Sequence, residues 1–439
     1  MPAPATVTNE KPSRRVSLSR RASFWAAAAF AFLAFAASTA ASPLYRVYEG
    51  KFSFAPTTLT LLFTLYIVVL LATLLLFGSL SDYTGRRMVM LAGLALGAAG
   101  CGLFLTAHGA GLLFAARALQ GVAVGLISGA ASAALFDLRP NSGATPAVSS
   151  AAPTGGQALG AIGASVLAQY GPAPTHLVWW LLLGAFSIGV VAVLAMPEPG
   201  TVRPGVVSSL RPHVSVPRTA KGAFATAVPA LVGIWALAGF YLSLGPSLAA
   251  QLLHSQNLLW GGILIFLLTG LAAAASALLV RKNPSAVMVG GCLVVIVGAL
   301  VTFASIETST AAVLFVGTAV AGLGFGPAFM GAYRATVAAA PSYDRTGLIT
   351  AIYIVSYLAT GIPAVLAGIA TSHYGLRKTA LVYSVAVAVL AAVAVSRLLA
   401  RQTAPGRAAH GTRHADAPPG PGTVPPCAPL RPRPGPANA

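Results

Sequence analysis

The sequence predicts an all-α polytopic membrane protein, with twelve transmembrane helices in two pseudo-symmetric six-helix bundles. Three observations carry that prediction. Of 439 residues, 56% are hydrophobic and only 8% charged, where a soluble domain carries roughly 25% charged residues. So little charge cannot cover a surface in water. The apolar residues also gather into runs of about 20, the length that crosses a bilayer as a helix. Finally, the basic residues alternate in register with those runs, as topology signals do.

The elements follow in order. Residues 1–22 are a basic tail, expected in the cytoplasm. Six spans are predicted at 23–44, 57–80, 88–107, 110–137, 146–170 and 175–196, so that 23–196 makes the first bundle. A polar stretch at 197–222 holds Arg203, Arg211, Arg218, Lys221 and several prolines, and reads as a central cytoplasmic loop. Six more spans are predicted at 223–252, 257–280, 285–305, 309–335, 346–372 and 377–399, giving a second bundle over 223–400. Residues 401–439, rich in Pro, Ala and Arg, are expected to form a disordered cytoplasmic tail.

Positive charge sets the orientation. With the N-terminus inside, 22 of the 27 Lys and Arg residues fall in inner regions. Only Arg46, Lys51, Arg377 and Lys378 fall in outer ones, and Arg117 lies within a span. Both termini are therefore expected in the cytoplasm. The segment Ser19-Arg20-Arg21-Ala22-Ser23-Phe24 also matches a twin-arginine signal. Eleven further apolar runs and the even span count favour its retention as the first span.

The same charge pattern limits function. A net charge of +19 often marks nucleic-acid binding, but here it sits in tails and short loops, so no nucleic acid is expected. Cys101 and Cys292 lie in apolar runs and Cys427 in the tail, without ligand spacing. Neither a disulfide framework nor a metal site is expected. No metalloprotease pattern, P-loop or intramembrane aspartate pair occurs, so neither enzyme activity nor a cofactor is expected.

The halves repeat weakly. Val89-Met90, Gly93 and Gly100 recur as Val287-Met288, Gly291 and Gly298, at an offset of 198. Tyr170-Gly171 recurs as Tyr374-Gly375, at an offset of 204. Repeated halves with a midplane site between them are common among secondary transporters.

Between spans two and three the chain reads Gly78-Ser79-Leu80-Ser81-Asp82-Tyr83-Thr84-Gly85-Arg86-Arg87. This resembles the signature G-x-L-x-D-x-x-G-R-[KR] of the major facilitator superfamily (MFS), at its expected place. The resemblance covers nearly the whole chain outside the tails. Gly78 would let two helices approach and Gly85 would permit a tight turn. The resemblance implies that Asp82 latches the first half to the start of span eleven, about Arg345–Leu348, in the outward-open state. Arg86 and Arg87 serve either that gate or simple anchoring. Asp137, at the inner end of span four, is expected to join Asp82 and Arg86 in a charge cluster.

Span four carries Arg117-Ala-Leu-Gln120-Gly121 and then Gly125, which looks like the family's R-x-x-x-G-x-x-x-G motif. A cation inside the bilayer must face water or the bundle interior. Arg117 either contacts substrate or takes part in proton coupling, or it snorkels to the outer interface. Gln120 lies one turn away on the same face.

Two departures from the family pattern stand out. No Asp or Glu lies near the middle of any span, which leaves Asp82, Asp137 or His254 as candidate proton carriers. Span five has Pro153-Thr154-Gly155-Gly156 rather than the antiporter order of Gly-Pro. Cavity candidates are Gln157, Trp235, Tyr241, Tyr353 and Tyr357, and bends are expected at Gly245-Pro246, Gly322–Pro327 and Gly361–Pro363. Such a cavity would suit an amphipathic or weakly cationic molecule better than a polyanion.

The resemblance implies a monomeric secondary transporter of a bacterial inner (plasma) membrane, with a small-molecule substrate and a coupling proton. Export of a drug or metabolite is the leading expectation. Uptake of a sugar-like or organic-acid metabolite by symport comes second. A non-transporting sensor on the same fold is the alternative of another class.

Overall fold

A computed structural model describes residues 18–138, 145–200, 214–341 and 345–403. The predicted N-terminal tail up to Ser17, most of the central loop and nearly all of the C-terminal tail lie outside the described residues. The elements are helices: α1 (Arg20–Phe52), α2 (Pro56–Phe77), α3 (Leu80–Thr84), α4 (Arg86–Leu105), α5 (Ala110–Asp137), α6 (Thr145–Tyr170) and α7 (Leu177–Leu194), then α8 (Lys221–Ser243), α9 (Gly245–Leu253), α10 (Leu259–Leu279), α11 (Pro284–Glu307), α12 (Ala311–Ala338), α13 (Arg345–Tyr374) and α14 (Leu376–Thr403). The chain up to Leu398 makes one compact unit, and Leu399–Ala439 a second, of which only the end of α14 is described.

Among the described residues, eleven helices are long and apolar enough to cross a membrane. α6 occupies the predicted fifth span, but its glycines, Thr154 and Gln157 dilute its hydropathy, and it is not one of the eleven. Large apolar side chains face outward, with Leu278 at 81% and Val382 at 71% exposed. In water such faces would aggregate; against lipid tails they are matched.

The buried apolar residues form two cores. One runs from Phe24 to Met196 and takes in only Leu242, Ile265 and Ala364 from the second half. The other runs from Ala220 to Val395. Small residues let the helices close up. A side chain at Gly93 on α4 would fall 2.6 Å from Ile127 of α5, and one at Gly298 on α11 2.5 Å from the backbone of Ala321 on α12. Gly291 abuts the backbone of Ala328 in the same way. The glycines that repeat at an offset of 198 thus pack the third span on the fourth and the ninth on the tenth. The two Tyr-Gly pairs end α6 and α13.

Of the expected bends, one is a break. Span seven divides at Leu244 into α8 and α9, ahead of Pro246, which lacks the N–H to continue the ladder. α12 and α13 remain helical through Pro327 and Pro363. The glycines of α12 are used for close approach: Gly322 meets the backbone of Leu267 and Leu268, and Gly326 that of Ala272.

Contacts between the halves gather toward one end. Arg46 Nη2 donates to Gln256 Oε1 at 2.7 Å. Asn257 Nδ2 donates to Tyr170 Oη at 3.1 Å, and Leu258 N to Gln169 Oε1 at 2.8 Å. Farther in, Thr64 Oγ1 donates to the Gly361 carbonyl at 3.3 Å. At the opposite end, Asp82, Arg86 and Asp137 pair within the first half. The described bridges hold the halves together at the Arg46 end.

Candidate functional site

Two groups of residues carry the chemistry: a charge cluster at the Asp82 end and a polar-aromatic row between the halves.

The cluster is built by a sharp turn. Gly85 has φ 95°, a left-handed conformation that favours glycine, and α4 starts directly after it. Glu198 caps that start: its carboxylate accepts from the backbone N–H of Arg86 at 2.6 Å and of Arg87 at 3.2 Å. A side chain at Gly85 would lie 2.7 Å from Glu198 Oε2. An anion there also meets the positive end of the helix dipole. Arg86 pairs with Asp82, bonds Asp137 Oδ2 at 3.1 Å and donates to Ser81 Oγ at 2.7 Å. Arg87 donates to the Leu194 carbonyl at 2.5 Å, and Arg20 to that of Asp137 at 2.9 Å. Gly78 comes close to α5, where a side chain at Gly129 would lie 3.6 Å from the Gly78 carbonyl.

Asp82, Arg86 and Asp137 are thus brought together, within the first half. The contact expected between Asp82 and Arg345–Leu348 is not made among the described residues. Arg345 Nε donates instead to the Ala340 carbonyl at 3.2 Å. Glu198 escaped the sequence reading. Its signal was available, because it is one of only eight acidic residues in the chain and directly follows span six.

Deep in the first half lies Arg117, 1% exposed. This excludes the snorkelling alternative. Its Nη1 donates to the Ser38 carbonyl at 2.9 Å and to Gln120 Oε1 at 2.8 Å, and its Nε to the Leu62 carbonyl at 3.4 Å. Gln120 Nε2 in turn donates to the Ala37 carbonyl at 3.3 Å. The guanidinium carbon lies 4.3 Å from the centre of the Tyr66 ring and 5.8 Å from that of Tyr45. No carboxylate pairs with it among the described residues. Arg117 Nη2 and Tyr45 Oη are both buried without a hydrogen-bond partner.

The helix of Tyr66 leads to the second half. Tyr357 packs against the first core, and Thr64, two residues before Tyr66, donates to the Gly361 carbonyl. From Tyr357 a row of rings continues. It stacks on Tyr353 at 6.0 Å and meets Trp235 at 6.1 Å between centroids. Trp235 has Phe325 and Phe329 edge-on at 5.6 and 5.2 Å, and Tyr333 closes the row against Phe329 and Tyr353. The indole Nε1 of Trp235 is buried without a partner.

Two cavity candidates lie elsewhere. Tyr241, 1% exposed, sits in the second core with its hydroxyl bonded to Thr302 at 3.0 Å and Thr318 at 3.2 Å. Gln157 contributes its backbone carbonyl to Thr39 Oγ1 at 2.9 Å, which ties α6 to α1. Tyr45, Tyr66, Phe325 and Phe329 were not singled out from sequence; aromatic residues in apolar helices carry no mark of which face they occupy. A cavity of about 310 Å³ at the Arg46 end is lined by both halves, including Arg46, Glu49, Leu244, Gln251 and Gln256.

The family model of the Major Facilitator Superfamily matches residues 24–341. Solved structures share the fold. One is a point mutant of the nucleoside transporter NupG, 12% identical with a TM-score of 0.66, covering 85% of this chain and 99% of that one. A point mutant of the peptide transporter POT is 14% identical with a TM-score of 0.69, covering 87% and 94%. The human organic anion transporter MFSD10 (TETRAN) is 17% identical with a TM-score of 0.60, covering 88% and 100%. At these identities the likeness is one of fold. No curated protein matches the sequence significantly.

Proposed function

Because the chain belongs to the Major Facilitator Superfamily, we propose that it is a secondary active transporter that exports a small organic molecule across a bacterial plasma membrane by alternating access. One observation carries this reading: bridges between the halves lie at the Arg46 end and about the middle, while Asp82 at the other end pairs within its own half. Repeated bundles that rock about a central site would close each end in turn. With the orientation set by positive charge, the Arg46 end faces outward.

In that cycle Arg117, Gln120, Trp235, Tyr353 and Tyr357 line the central path. Asp82 would reach Arg345–Leu348 only when its own end shuts, which agrees with its pairing to Arg86 here. A proton gradient drives the cycle, and a single chain suffices, since both halves of the site come from one polypeptide.

The test is accumulation of amphipathic fluorescent compounds, one cationic and one anionic, in efflux-deficient bacterial cells. Cells with the protein should accumulate less of at least one. That difference should vanish with a protonophore and with Asp82→Asn, while the variant remains in the membrane. Equal accumulation with and without the protein, for every compound, would count against export.

A further inference from the structure

We propose that the central site takes an aromatic monocarboxylate, with the carboxylate held by Arg117 and Tyr45 and the rings laid against the row from Tyr357 to Trp235. The inference deepens the transport reading and rests on it.

Three observations converge. First, Arg117 is a fully charged group, 1% exposed, with no acidic partner among the described residues. Guanidinium stays protonated in proteins, so burial cannot be relieved by losing the proton. A buried charge is normally paired. Second, the two unsatisfied atoms belong to side chains that lie close together, the guanidinium carbon 5.8 Å from the Tyr45 ring centre. Arg117 Nη2 and Tyr45 Oη are both donors without partners, on side chains in cation–π proximity. A carboxylate has two oxygens and accepts from both. Third, Tyr357 packs against the first core and starts a continuous row of rings with Tyr353, Trp235 and Phe329. Rings of that kind take a flat apolar body.

The charge count fixes the valence. One cation is offered by the first half, and Arg334, which follows Tyr333 in the chain, donates to the carbonyl of Val280 at 2.7 Å. A polyanion would bury charge without a partner, and a cation would meet Arg117 with like charge. The weakly cationic substrate expected from composition is therefore the less suited. In the present state Thr64, two residues before Tyr66, bridges to the Gly361 carbonyl, and parting the halves would uncover the anion-binding face.

The experiment uses a matched series on the purified full-length protein in detergent: 2-naphthoate, 2-naphthamide and 2-naphthylmethylammonium. Thermal midpoint is read against ligand concentration. Naphthoate should raise the midpoint by several degrees, with the amide and the ammonium leaving it in place. Arg117→Gln should abolish the naphthoate shift, and Arg117→Lys should keep part of it. Equal shifts from all three compounds, a shift from the ammonium alone, no shift from any, or an undiminished naphthoate shift in Arg117→Gln would each overturn the proposal. If Arg117→Gln does not fold, the wild-type series decides alone. Flux of the same compounds in reconstituted vesicles separates the two claims. Naphthoate binding without movement of any compound would sink the transport reading and leave this one. Movement of the amide or ammonium without naphthoate binding would do the reverse.

Discussion

The guanidinium carbon of Arg117 lies 4.3 Å from the centre of the Tyr66 ring, so the buried cation of the first half sits over an aromatic face. A desolvated contact of this kind contributes about 2 kcal/mol. Tyr66→Phe should keep it, and Tyr66→Leu should lose it. The expected outcome is a thermal midpoint near wild type for Phe and several degrees lower for Leu. Equal midpoints for the two variants would show that only ring volume, or nothing at that position, matters.

Glu198 accepts from two backbone N–H groups at the start of α4. Glu198→Ala should cost about 1–2 kcal/mol, the value of a cap together with the helix dipole. Glu198→Gln retains an acceptor and should cost about half as much. Chemical or thermal unfolding in detergent reads the difference. No loss in Glu198→Ala would mean that water replaces the carboxylate freely.

Adjacent glycines make an internal control in α11. Gly290 has open space where a side chain would stand, whereas Gly291 faces the backbone of Ala328. Gly290→Ala should be neutral or slightly stabilising. Gly291→Ala should destabilise by about 1–3 kcal/mol through overpacking, seen as lower yield of monodisperse protein and a lower midpoint. Matching behaviour of the pair would contradict the close approach of α11 and α12.

Closure at one end depends on Gln256, which accepts from Arg46 at 2.7 Å. Gln256→Ala should leave that end open more often. With a reporter cysteine in place of Leu244, which is 1% exposed and lines the cavity there, maleimide labelling should quicken several-fold in the Gln256→Ala background. An unchanged rate would assign closure to the Gln169 and Asn257 contacts instead.

Much of this fold was legible in sequence because bilayer thickness and positive charge are strong constraints. Eleven of the predicted spans coincide with helices long and apolar enough to cross a membrane, and the repeat was carried by Gly93, Gly100, Gly291 and Gly298, which pack equivalent helix pairs. The turn at Gly85 and the pairing of Asp82 with Arg86 were legible because one short loop holds them, and Asp137 because it ends a span on the same side. Less could be read where partners are distant in the chain. Glu198 reaches Arg86 across 112 residues, and Thr64 bonds Gly361 in the other half. Helices that are apolar on every side have no amphipathic face to say which rings point inward. In α12 the glycines expected at a bend also serve close packing, because in a membrane glycine beside proline lets helices approach as readily as it kinks them.

Alternating access is most directly tested by double electron–electron resonance, with spin labels at exposed sites on opposite halves at each end. One pair is Thr106 with Thr308 at the Arg46 end; the other is Met88 with Lys282 at the Asp82 end. Cys101, Cys292 and Cys427 are replaced beforehand. The account predicts that the two distances change in opposite senses as pH and 2-naphthoate concentration vary, and that Asp82→Asn favours the state open at the Asp82 end. A single unchanging distance at both ends, in a protein shown to bind or move its ligand, would contradict it.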